Sequence, residues 1–267
     1  MLYIVGTPIG NLEDMTFRQI KTLKEVDLIA AEDTRHSRKL LNHFEIKTSL
    51  TSYHEHNKDT KTDFLIKEML LGKNIAIITD GGMPIISDPG LEIVEKCHEN
   101  GIGVTTIPGP TAFVSAFVMS GINSSSFVFE GFLSKKQKKQ LESISKEERA
   151  VIIYESPHKL LKTLIRLKDA LGGDRKIATV REITKLYEEV LTFTLDEAVK
   201  YYENNQPMGE FVVVIDGNKQ EKEISTVPIS EQVDEYIAIG YSKNDAIKQV
   251  AKDMDLPKRE VYASVNC

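Results

Sequence analysis

Apolar and polar positions alternate with two different periods along the first 120 residues. Short runs of apolar residues, many of them β-branched, indicate strands at residues 2–6, 27–32, 74–80 and 103–109. The segments between these runs, such as RQIKTLKEV and DFLIKEMLL, have apolar residues at helical spacing. This alternation of strand and helix predicts a parallel sheet that is covered by helices on both faces.

The pattern changes after residue 121. Five further strand candidates follow with fewer helices between them, at residues 127–132, 150–156, 176–182, 188–193 and 209–216. They predict a second sheet, of mixed strand direction. Because the stretch GINSSS at 121–126 is typical of a linker, we predict an N-terminal α/β domain at 1–121 and a C-terminal α/β domain at 122–218.

Residues 228–267 predict a third, helical module. They follow the polar stretch KQEKEISTVP, which has no apolar period. Within the module, AIKQVAKDM and KREVYASV have apolar residues at helical spacing and are separated by the turn DLP. This helix-turn-helix pattern raises one functional hypothesis, a DNA-binding regulator with a ligand-sensing α/β body.

Charge weighs against a DNA-binding regulator. The chain has a formal net charge of −6, and the helical module contains five Lys or Arg against seven Asp or Glu. An acidic module makes a poor electrostatic footprint for duplex DNA. Any contact with nucleic acid must therefore come from local basic patches.

Composition gives no sign of a membrane or metal protein. No apolar run approaches the ~20 residues that a membrane span requires, and the start of the chain lacks the features of a signal peptide. We therefore expect a cytoplasmic protein that does not contact the membrane. The two cysteines, Cys97 and Cys267, have no metal-ligand spacing, so we predict no metal site.

Three predicted strands of the first domain end in turns that are rich in glycine and proline. These turns are TPIG, TDGGMPIISDPG and IPGPTA. A single turn of this kind can simply end a strand. Because the carboxyl ends of parallel strands share one edge of the sheet, three such turns predict a ligand pocket at that edge. The first turn is not a dinucleotide-binding fingerprint, since GTPIG lacks the G-x-G-x-x-G spacing.

Several stretches stand in an order known from one protein family. They are TPIGNLEDMT, AEDTRHSRKLL, HEHN, TDGGMPIISDPG, IPGPTA, EGFLSKK, YESPHKLL and VREITKLYEE. In this order and spacing the chain resembles the ribosomal RNA small subunit methyltransferase I branch of the tetrapyrrole methylase family. The resemblance runs from about residue 2 to residue 217 and continues into the helical module.

The resemblance implies an enzyme that uses S-adenosylmethionine. Its expected fold has two α/β domains with the cofactor in the cleft between them, and its expected assembly is a homodimer. The implied reaction is 2′-O-methylation of a cytidine in the 16S ribosomal RNA, and the implied partner is that RNA or the assembled small subunit. Methylation of a tetrapyrrole precursor or of a protein are the alternatives within the enzyme class, but a lysine-rich cluster favours RNA.

The cofactor residues that the resemblance implies come from both domains. They are Pro8, Ile9, Asp80, Met83, Thr111, Ala112, Tyr154, Met208 and Gly209. The chain departs from the family at one of these turns. It reads Asp80-Gly81-Gly82-Met83-Pro84 where the family reads D-A-G-T-P, so a threonine hydroxyl is missing here. Two of these residues have an alternative interpretation. Asp80 could instead cap its own turn, and Tyr154 could instead be a core residue.

Methyl transfer to a ribose hydroxyl is an in-line displacement, so the enzyme mainly aligns the reacting atoms and can add a base for the hydroxyl proton. The stretches that distinguish the RNA-modifying branch supply the candidate catalytic residues Glu32, Asp33, Arg35 and His54. Asp33 has a second interpretation as the cap of the next helix. The identity of the base stays open, with a carboxylate favoured over a histidine.

The candidate RNA-binding residues are His56, Lys135, Lys136, Lys138, Lys139 and Arg181. The lysines belong to SKKQKKQ, the most basic cluster in the chain, which suits contact with the RNA backbone. Its alternative is a solvated helix face. Arg181 suits contact with a phosphate, and its alternative is an Arg-Glu pair that forms a structural bridge across the cleft. His54 and His56 share one face of an extended segment, but no third ligand follows to complete a metal site.

Overall fold

The computed structural model describes residues 1–134, 138–218, 227–254 and 256–265. Residues 1–217 form one compact unit and residues 218–267 a second. The first unit contains two five-stranded sheets, one from the first 107 residues and one from residues 127–215. The predicted domain boundaries at residues 121 and 218 stay a prediction.

The first sheet is parallel throughout, with the strand order β3-β2-β4-β1-β5. Its strands are β1 (Leu2–Val5), β2 (Leu28–Ala31), β3 (Leu50–Ser52), β4 (Ile75–Ile78) and β5 (Val104–Ile107). Its helices are α1 (Phe17–Glu25), α2 (Thr34–His43), α3 (Lys58–Leu70) and α4 (Leu91–Glu99), and a short 3-10 helix spans Leu12–Asp14.

Helices cover both faces of this sheet, as the sequence predicts. On one face, Leu23 of α1 and Leu41 of α2 pack with residues such as Ile78. On the other face, Leu65 of α3 and Ile93 of α4 pack with the alternate residues of the same strands. The central strand β4 is buried over its whole length, which explains its continuous apolar run.

The turns after β1 and β5 lie in direct contact, and only glycine fits there. A Cβ atom added to Gly6 would lie 2.7 Å from Cα of Gly109. The buried amide of Gln19 joins the two turns, because its Nε2 donates to the carbonyl of Gly6 at 2.9 Å and of Pro108 at 3.2 Å. Two of the three predicted pocket walls are thus held together by backbone contact.

The second sheet is mixed, with the strand order β6-β7-β10-β8-β9. Only β6 and β7 are parallel, and the remaining pairs are antiparallel. The strands are β6 (Phe127–Phe132), β7 (Ala150–Glu155), β8 (Lys176–Arg181), β9 (Glu189–Thr194) and β10 (Phe211–Ile215). The helices from α5 to α8 are α5 (Ala112–Met119), α6 (Lys138–Lys146), α7 (Pro157–Leu171) and α8 (Leu195–Asn204).

Helix α5 connects the two sheets. It begins directly after the turn that follows β5, and its buried Ala116 packs against Ile152 of β7 and Val212 of β10. Phe113 of the same helix stacks on Phe129 of β6, with ring centroids 4.3 Å apart. This shared apolar layer packs α5 against one face of the second sheet, next to the turns of the first.

The C-terminal unit is helical, as the sequence predicts. It contains α9 (Ile229–Ala238), α10 (Lys243–Asp253) and α11 (Lys258–Val265). Val233, Ile247, Val250 and Val261 form a core of their own. The predicted helix-turn-helix corresponds to α10 and α11, whereas α9 was missed. Within the described residues, no helix is long and apolar enough to cross a membrane.

Candidate active site

A cavity of about 710 Å³ opens where the carboxyl ends of the first-sheet strands face the second sheet. The three glycine- and proline-rich turns form one side of it. The ends of β7 and β10 and the segment after β8 form the other side. The pocket predicted from the strand-end turns therefore exists, and its second wall comes from the second sheet.

The first and second turns are hydrogen bonded to each other. Thr7 and Gly82 pair through both backbone groups, at 2.9 and 3.0 Å. Gly82 has a φ of +93°, which glycine adopts without strain. The side chain of Met83 lines the cavity, and its sulfur packs so closely on Gly6 that an added Cβ would lie 2.8 Å from it. The methionine thus fills the space beside the turn.

The described lining of the cavity includes most of the predicted cofactor residues. These are Pro8, Ile9, Asp80, Met83, Thr111, Ala112 and Tyr154. Met208 and Gly209 are absent from that lining and instead precede the lining residue Glu210. Gly209 has a φ of +84°, and a Cβ there would lie 2.5 Å from Cγ of Glu182. Gly209 therefore shapes the turn that places Glu210 at the cavity.

Three carboxylates from neighbouring turns face the cavity. Glu32 follows β2, whereas Asp80 and Asp88 belong to the long turn after β4. The Thr79 hydroxyl donates to Glu32 Oε2 at 2.6 Å. Burial, followed by the charge of Glu32, raises the pKa of Asp80 above its usual range. Burial and the same Glu32 charge raise the pKa of Asp88 to about 6. The sequence analysis missed Asp88 and Thr79.

Tyr154 lies at the wall formed by the second sheet. Its hydroxyl accepts a hydrogen bond from the backbone N–H of Phe113 at 3.3 Å, and burial raises its pKa to about 12. Its ring meets Phe132 edge-on at 5.6 Å. The Phe132 side chain lines the cavity and is 61% exposed. Tyr154 therefore lines the cavity and also packs in the apolar layer between the sheets.

Of the four candidate catalytic residues, Glu32 is the one that lines the cavity. Asp33 caps α2, because its Oδ1 accepts from the backbone N–H of Arg35 at 2.8 Å and of His36 at 3.4 Å. These bonds, with that of Arg35 the largest cause, lower the pKa of Asp33. The Arg35 guanidinium is 91% exposed and lies 3.4 Å from Asp33. His36, which the sequence analysis passed over, does line the cavity.

His54 and His56 are not among the described residues that line the cavity. Their rings are 6.1 Å apart. The backbone N–H of His54 donates to Oδ1 of Asn57, and Nδ1 of its ring is buried without a hydrogen-bond partner among the described residues. No cluster of potential metal ligands occurs in the described part of the chain.

Apart from His56, the candidate RNA-binding residues belong to two regions, the lysine-rich segment and the end of β8. Lys138 and Lys139 are exposed at the start of α6, whereas Lys135 and Lys136 lie outside the described residues. Arg181 ends β8, and its Nε lies 3.6 Å from Glu189 on the neighbouring strand β9. The Arg-Glu pair that Arg181 forms is therefore a cross-strand pair with Glu189.

Glu182 instead belongs to a cluster that joins the two sheets. Its Oε1 accepts from Lys185 Nζ at 3.0 Å and from the backbone N–H of Glu210 at 2.9 Å. Lys185 also binds the Glu210 carboxylate at 2.8 Å. The stem of Lys185 lies against the first turn, since a Cβ on Gly10 would be 2.5 Å from its Cγ. Sequence spacing gives no signal for this long-range cluster.

Comparison with known proteins decides what kind of cavity this is. Residues 1–199 match the model of the Tetrapyrrole (Corrin/Porphyrin) Methylases. The chain belongs to the tetrapyrrole methylase family. It is therefore a methyltransferase, and its two-sheet unit has the fold of these methylases.

Similar curated methylases share one name, ribosomal RNA small subunit methyltransferase I. The protein of Halalkalibacterium halodurans is 49% identical over 98% of this chain and 93% of its own length. The Bacillus subtilis protein is 46% identical over 98% of this chain and 92% of its own length. The Thermotoga maritima protein is 46% identical over 82% of this chain and 99% of its own length.

Solved methylase structures share the fold at low sequence identity. Diphthine synthase superposes with a TM-score of 0.64 at 13% identity, over 81% of this chain and 90% of that protein. The uroporphyrin-III C-methyltransferase from Thermus thermophilus, complexed with S-adenyl homocysteine, has a TM-score of 0.58 at 16% identity. That match covers 80% of this chain and 96% of the other.

The cavity residues fit the methyl donor S-adenosylmethionine. Asp80 and its neighbouring carboxylates offer partners for the ammonium group and the ribose. Gly81 and Gly82 let the backbone approach closely. Ile183 and Phe211 give the wall opposite these turns an apolar surface that suits an adenine ring. A methylase of this family therefore has the chemical groups for the cofactor in one cavity.

Proposed function

We propose that the chain transfers the methyl group of S-adenosylmethionine to the 2′-hydroxyl of a cytidine ribose in the 16S ribosomal RNA of the small subunit. The curated relatives that span 98% of the chain are named for this RNA class. The observation that carries the proposal is the cavity, where the turns implied to hold the cofactor meet the carboxylate of Glu32, which comes from an RNA-branch stretch.

The strand-end carboxylates would hold the charged end of the cofactor in the cavity. Asp80 pairs with the ammonium group or the ribose, and Met83 packs beside it. The other residues of the proposed cofactor site are Pro8, Ile9, Thr111, Ala112, Tyr154, Met208 and Gly209. The bound cofactor supplies the electrophilic methyl group. The chain supplies orientation, because in-line transfer depends on alignment of oxygen, carbon and sulfur.

The RNA approaches from the side of Glu32 and α2. Glu32 faces the acceptor ribose, and the cap formed by Asp33 holds the backbone of Arg35. The exposed guanidinium of Arg35 binds a phosphate of the RNA, because its planar fork matches phosphate oxygens. His54 and His56 contact the same RNA strand at positions outside the cavity lining.

Further RNA contacts come from the second sheet and its lysine-rich segment. Lys138 and Lys139 neutralise phosphates, and Lys135 and Lys136 extend the same basic cluster. Arg181 lies at the end of β8, whose following segment lines the cavity. Arg181 already pairs with Glu189, so its charge is partly compensated. It therefore helps to orient the RNA more than it adds free positive charge for RNA binding.

The proposed assembly is a cytoplasmic homodimer. Val114 and Val118 of α5 are exposed on the face opposite its buried Ala116, and Val118 is 77% exposed. Exposed apolar side chains on a helix that carries cofactor-site residues suit a contact between two copies. The acceptor is the ribosomal RNA, either free or within the small subunit.

A methyl-transfer assay with several acceptors tests the proposal. Labelled S-adenosylmethionine is incubated with the protein and, in separate reactions, with assembled small subunits, bare 16S RNA, DNA or a tetrapyrrole. The proposal expects label in the RNA of one of the first two reactions. Label in the tetrapyrrole alone, or in none of the acceptors, contradicts it.

A matched variant separates the RNA side from the cofactor side. Arg35→Ala is expected to raise the RNA concentration needed for half-maximal rate, while the affinity for S-adenosylmethionine stays unchanged. Arg18→Ala, also an exposed arginine on a helix of the first sheet, serves as the control. Equal RNA requirements for both variants remove Arg35 from the RNA site.

A further inference from the structure

We infer that Asp88 accepts the proton of the acceptor ribose hydroxyl during methyl transfer. This inference rests on the proposed function and adds a residue that the resemblance did not supply. Asp88 lines the cavity at the end of the long turn after β4, beside the candidate cofactor residue Asp80. It is the last carboxylate of that turn along the chain, three residues before α4 begins at Leu91.

The backbone around Asp88 is held in a demanding conformation. Ile85 and Ser87 have φ angles of +78° and +67°, a region that residues with side chains rarely adopt. Such strain persists only where the surrounding structure enforces it. Ser87 is packed against the bulge in β6, because a Cβ on Gly131 would lie 3.2 Å from its Oγ. The turn is thereby fixed against the second sheet, and Asp88 is held at the cavity.

The groups that face Asp88 come from three strands. Glu32 follows β2, Thr79 and Asp80 follow β4, and Tyr154 belongs to β7. Burial and the charges of Glu32 and Asp80 raise the pKa of Asp88 to about 6, against a smaller lowering by the Thr79 hydroxyl. His36 on α2 lowers the pKa of the neighbouring Asp80.

A carboxylate in this state suits the role of a base. Its pKa of about 6 leaves it ionised at neutral pH, yet makes it a stronger proton acceptor than an ordinary aspartate. Catalytic efficiency is greatest when the pKa of the base lies close to the operating pH. Desolvation by the cavity therefore improves Asp88 for proton transfer without removing its charge.

The Thr79 hydroxyl links Glu32 to Asp88. Glu32 Oε2 already accepts the Thr79 hydroxyl at 2.6 Å. A hydroxyl carries a single hydrogen, so Thr79 serves one carboxylate at a time. The geometry directs that hydrogen to Glu32, and the same hydroxyl lies close enough to Asp88 to lower its pKa. Glu32 is then a positioning residue that holds Thr79 and adds negative charge beside Asp88.

The chemical step balances without any further reactant. The ribose oxygen forms a bond to the methyl carbon as the carbon–sulfur bond breaks, and the electron pair of that bond stays on sulfur. The positively charged sulfonium becomes a neutral thioether. The hydroxyl proton passes to the Asp88 carboxylate, which later releases it to water.

The test is the pH dependence of single-turnover methylation by wild type, Asp88→Asn and Asp88→Glu at saturating cofactor and RNA. The wild-type rate is expected to rise with pH through about 6 and then level off. Asp88→Asn is expected to lose about 100-fold or more in rate and to lose this inflection, with cofactor affinity unchanged. Asp88→Glu is expected to recover part of the rate together with the inflection. Asp169→Asn, an exposed carboxylate on α7, is the matched control.

Three results overturn the inference in distinguishable ways. A wild-type enzyme that labels no RNA contradicts the proposed function itself. If wild type is active and Asp88→Asn keeps both its rate and its pH inflection, Asp88 is not the proton acceptor. If Asp88→Asn loses cofactor affinity but turns over normally at saturation, Asp88 is a cofactor-binding residue instead.

Discussion

The Thr79 hydroxyl donates a 2.6 Å hydrogen bond to the Glu32 carboxylate. The two residues follow the parallel strands β4 and β2, whose register pairs Ile78 with Ala31 immediately before them. The register of the sheet thus places one polar side chain from each strand end at the cavity. Through this hydrogen bond, the register of the sheet determines where the polar groups of the cavity lie.

Thr79→Val is expected to lower the single-turnover methylation rate about 10-fold or more. A hydrogen bond to a charged group contributes about 1.5–3 kcal/mol, which corresponds to roughly 10- to 100-fold if it is expressed fully in the transition state. Thr79→Ser keeps the hydroxyl and is the control, with a rate close to wild type. Rapid-quench measurement checks both variants. Equal rates for the valine and serine substitutions would show that the bond does not contribute to catalysis.

Asp80→Ala is expected to weaken the binding of S-adenosylmethionine by about 10-fold or more, because it removes a carboxylate partner for the ammonium group. The side chain lies at the cavity surface, partly shielded by its neighbours and outside the apolar cores, so the substitution leaves no core cavity and the fold should persist. Calorimetric titration measures the affinity, and Asp63→Ala on α3 is the control. An unchanged affinity in a folded Asp80→Ala protein would remove this residue from the cofactor site.

Neutralising Lys138 and Lys139 is expected to reduce RNA affinity and its dependence on salt. Each phosphate contact contributes about 0.7–0.9 to the logarithmic salt slope, so two lost contacts should reduce that slope by about 1.5. Binding to labelled RNA at several salt concentrations measures it. Neutralising the exposed Lys24 and Lys67 changes the net charge equally and should leave the slope near wild type. A salt slope that Lys138→Gln and Lys139→Gln leave unaltered would mean that these lysines are only solvated.

Asp88→Asn is expected to stabilise the folded protein at neutral pH. The folded-state pKa of Asp88, about 6, lies above its ordinary value of 3.8, so ionisation costs more in the folded chain than in the unfolded one. The stability of wild type relative to Asp88→Asn should therefore fall as pH rises from about 4 to about 6. After allowance for partial solvent screening, the difference at pH 7 should be about 1 to 2 kcal/mol.

Denaturant unfolding at several pH values checks this effect. The free energies of unfolding of wild type and Asp88→Asn should differ least at the acidic end and most above about pH 6. Asp169→Asn, which changes an exposed carboxylate on α7, is the control for the substitution itself. A gap that is independent of pH would show that Asp88 is not desolvated in the folded protein.

All but one of the described strands were predictable because their apolar runs indicate burial directly. Ile75–Ile78, for example, is buried at every position and has no polar residue to obscure it. Leu50–Ser52 was missed because a three-residue edge strand with half-buried side chains has no such pattern. Helix α9 carried a signal that was passed over, since Ile229, Val233 and Tyr236 follow helical spacing and pack into the core of its unit.

The parts of the site that could be predicted are the turns whose own sequence is rich in glycine and proline. The glycine and proline turns after β1, β4 and β5 indicated the correct edge of the sheet. Asp88 was missed because SDPG is typical of turns, and its environment depends on Glu32, which lies more than fifty residues earlier in the chain. Lys185 was missed for the same reason, because its contact with Gly10 exists only once both sheets have formed.

The chemical identity of the methylated nucleoside tests the central claim most directly. Small-subunit RNA is methylated with labelled S-adenosylmethionine, digested to nucleosides and separated by liquid chromatography with mass detection. The account predicts that the label is found in 2′-O-methylcytidine and depends on the wild-type protein. Label in a base-methylated nucleoside, or in a ribose other than that of cytidine, would contradict the account.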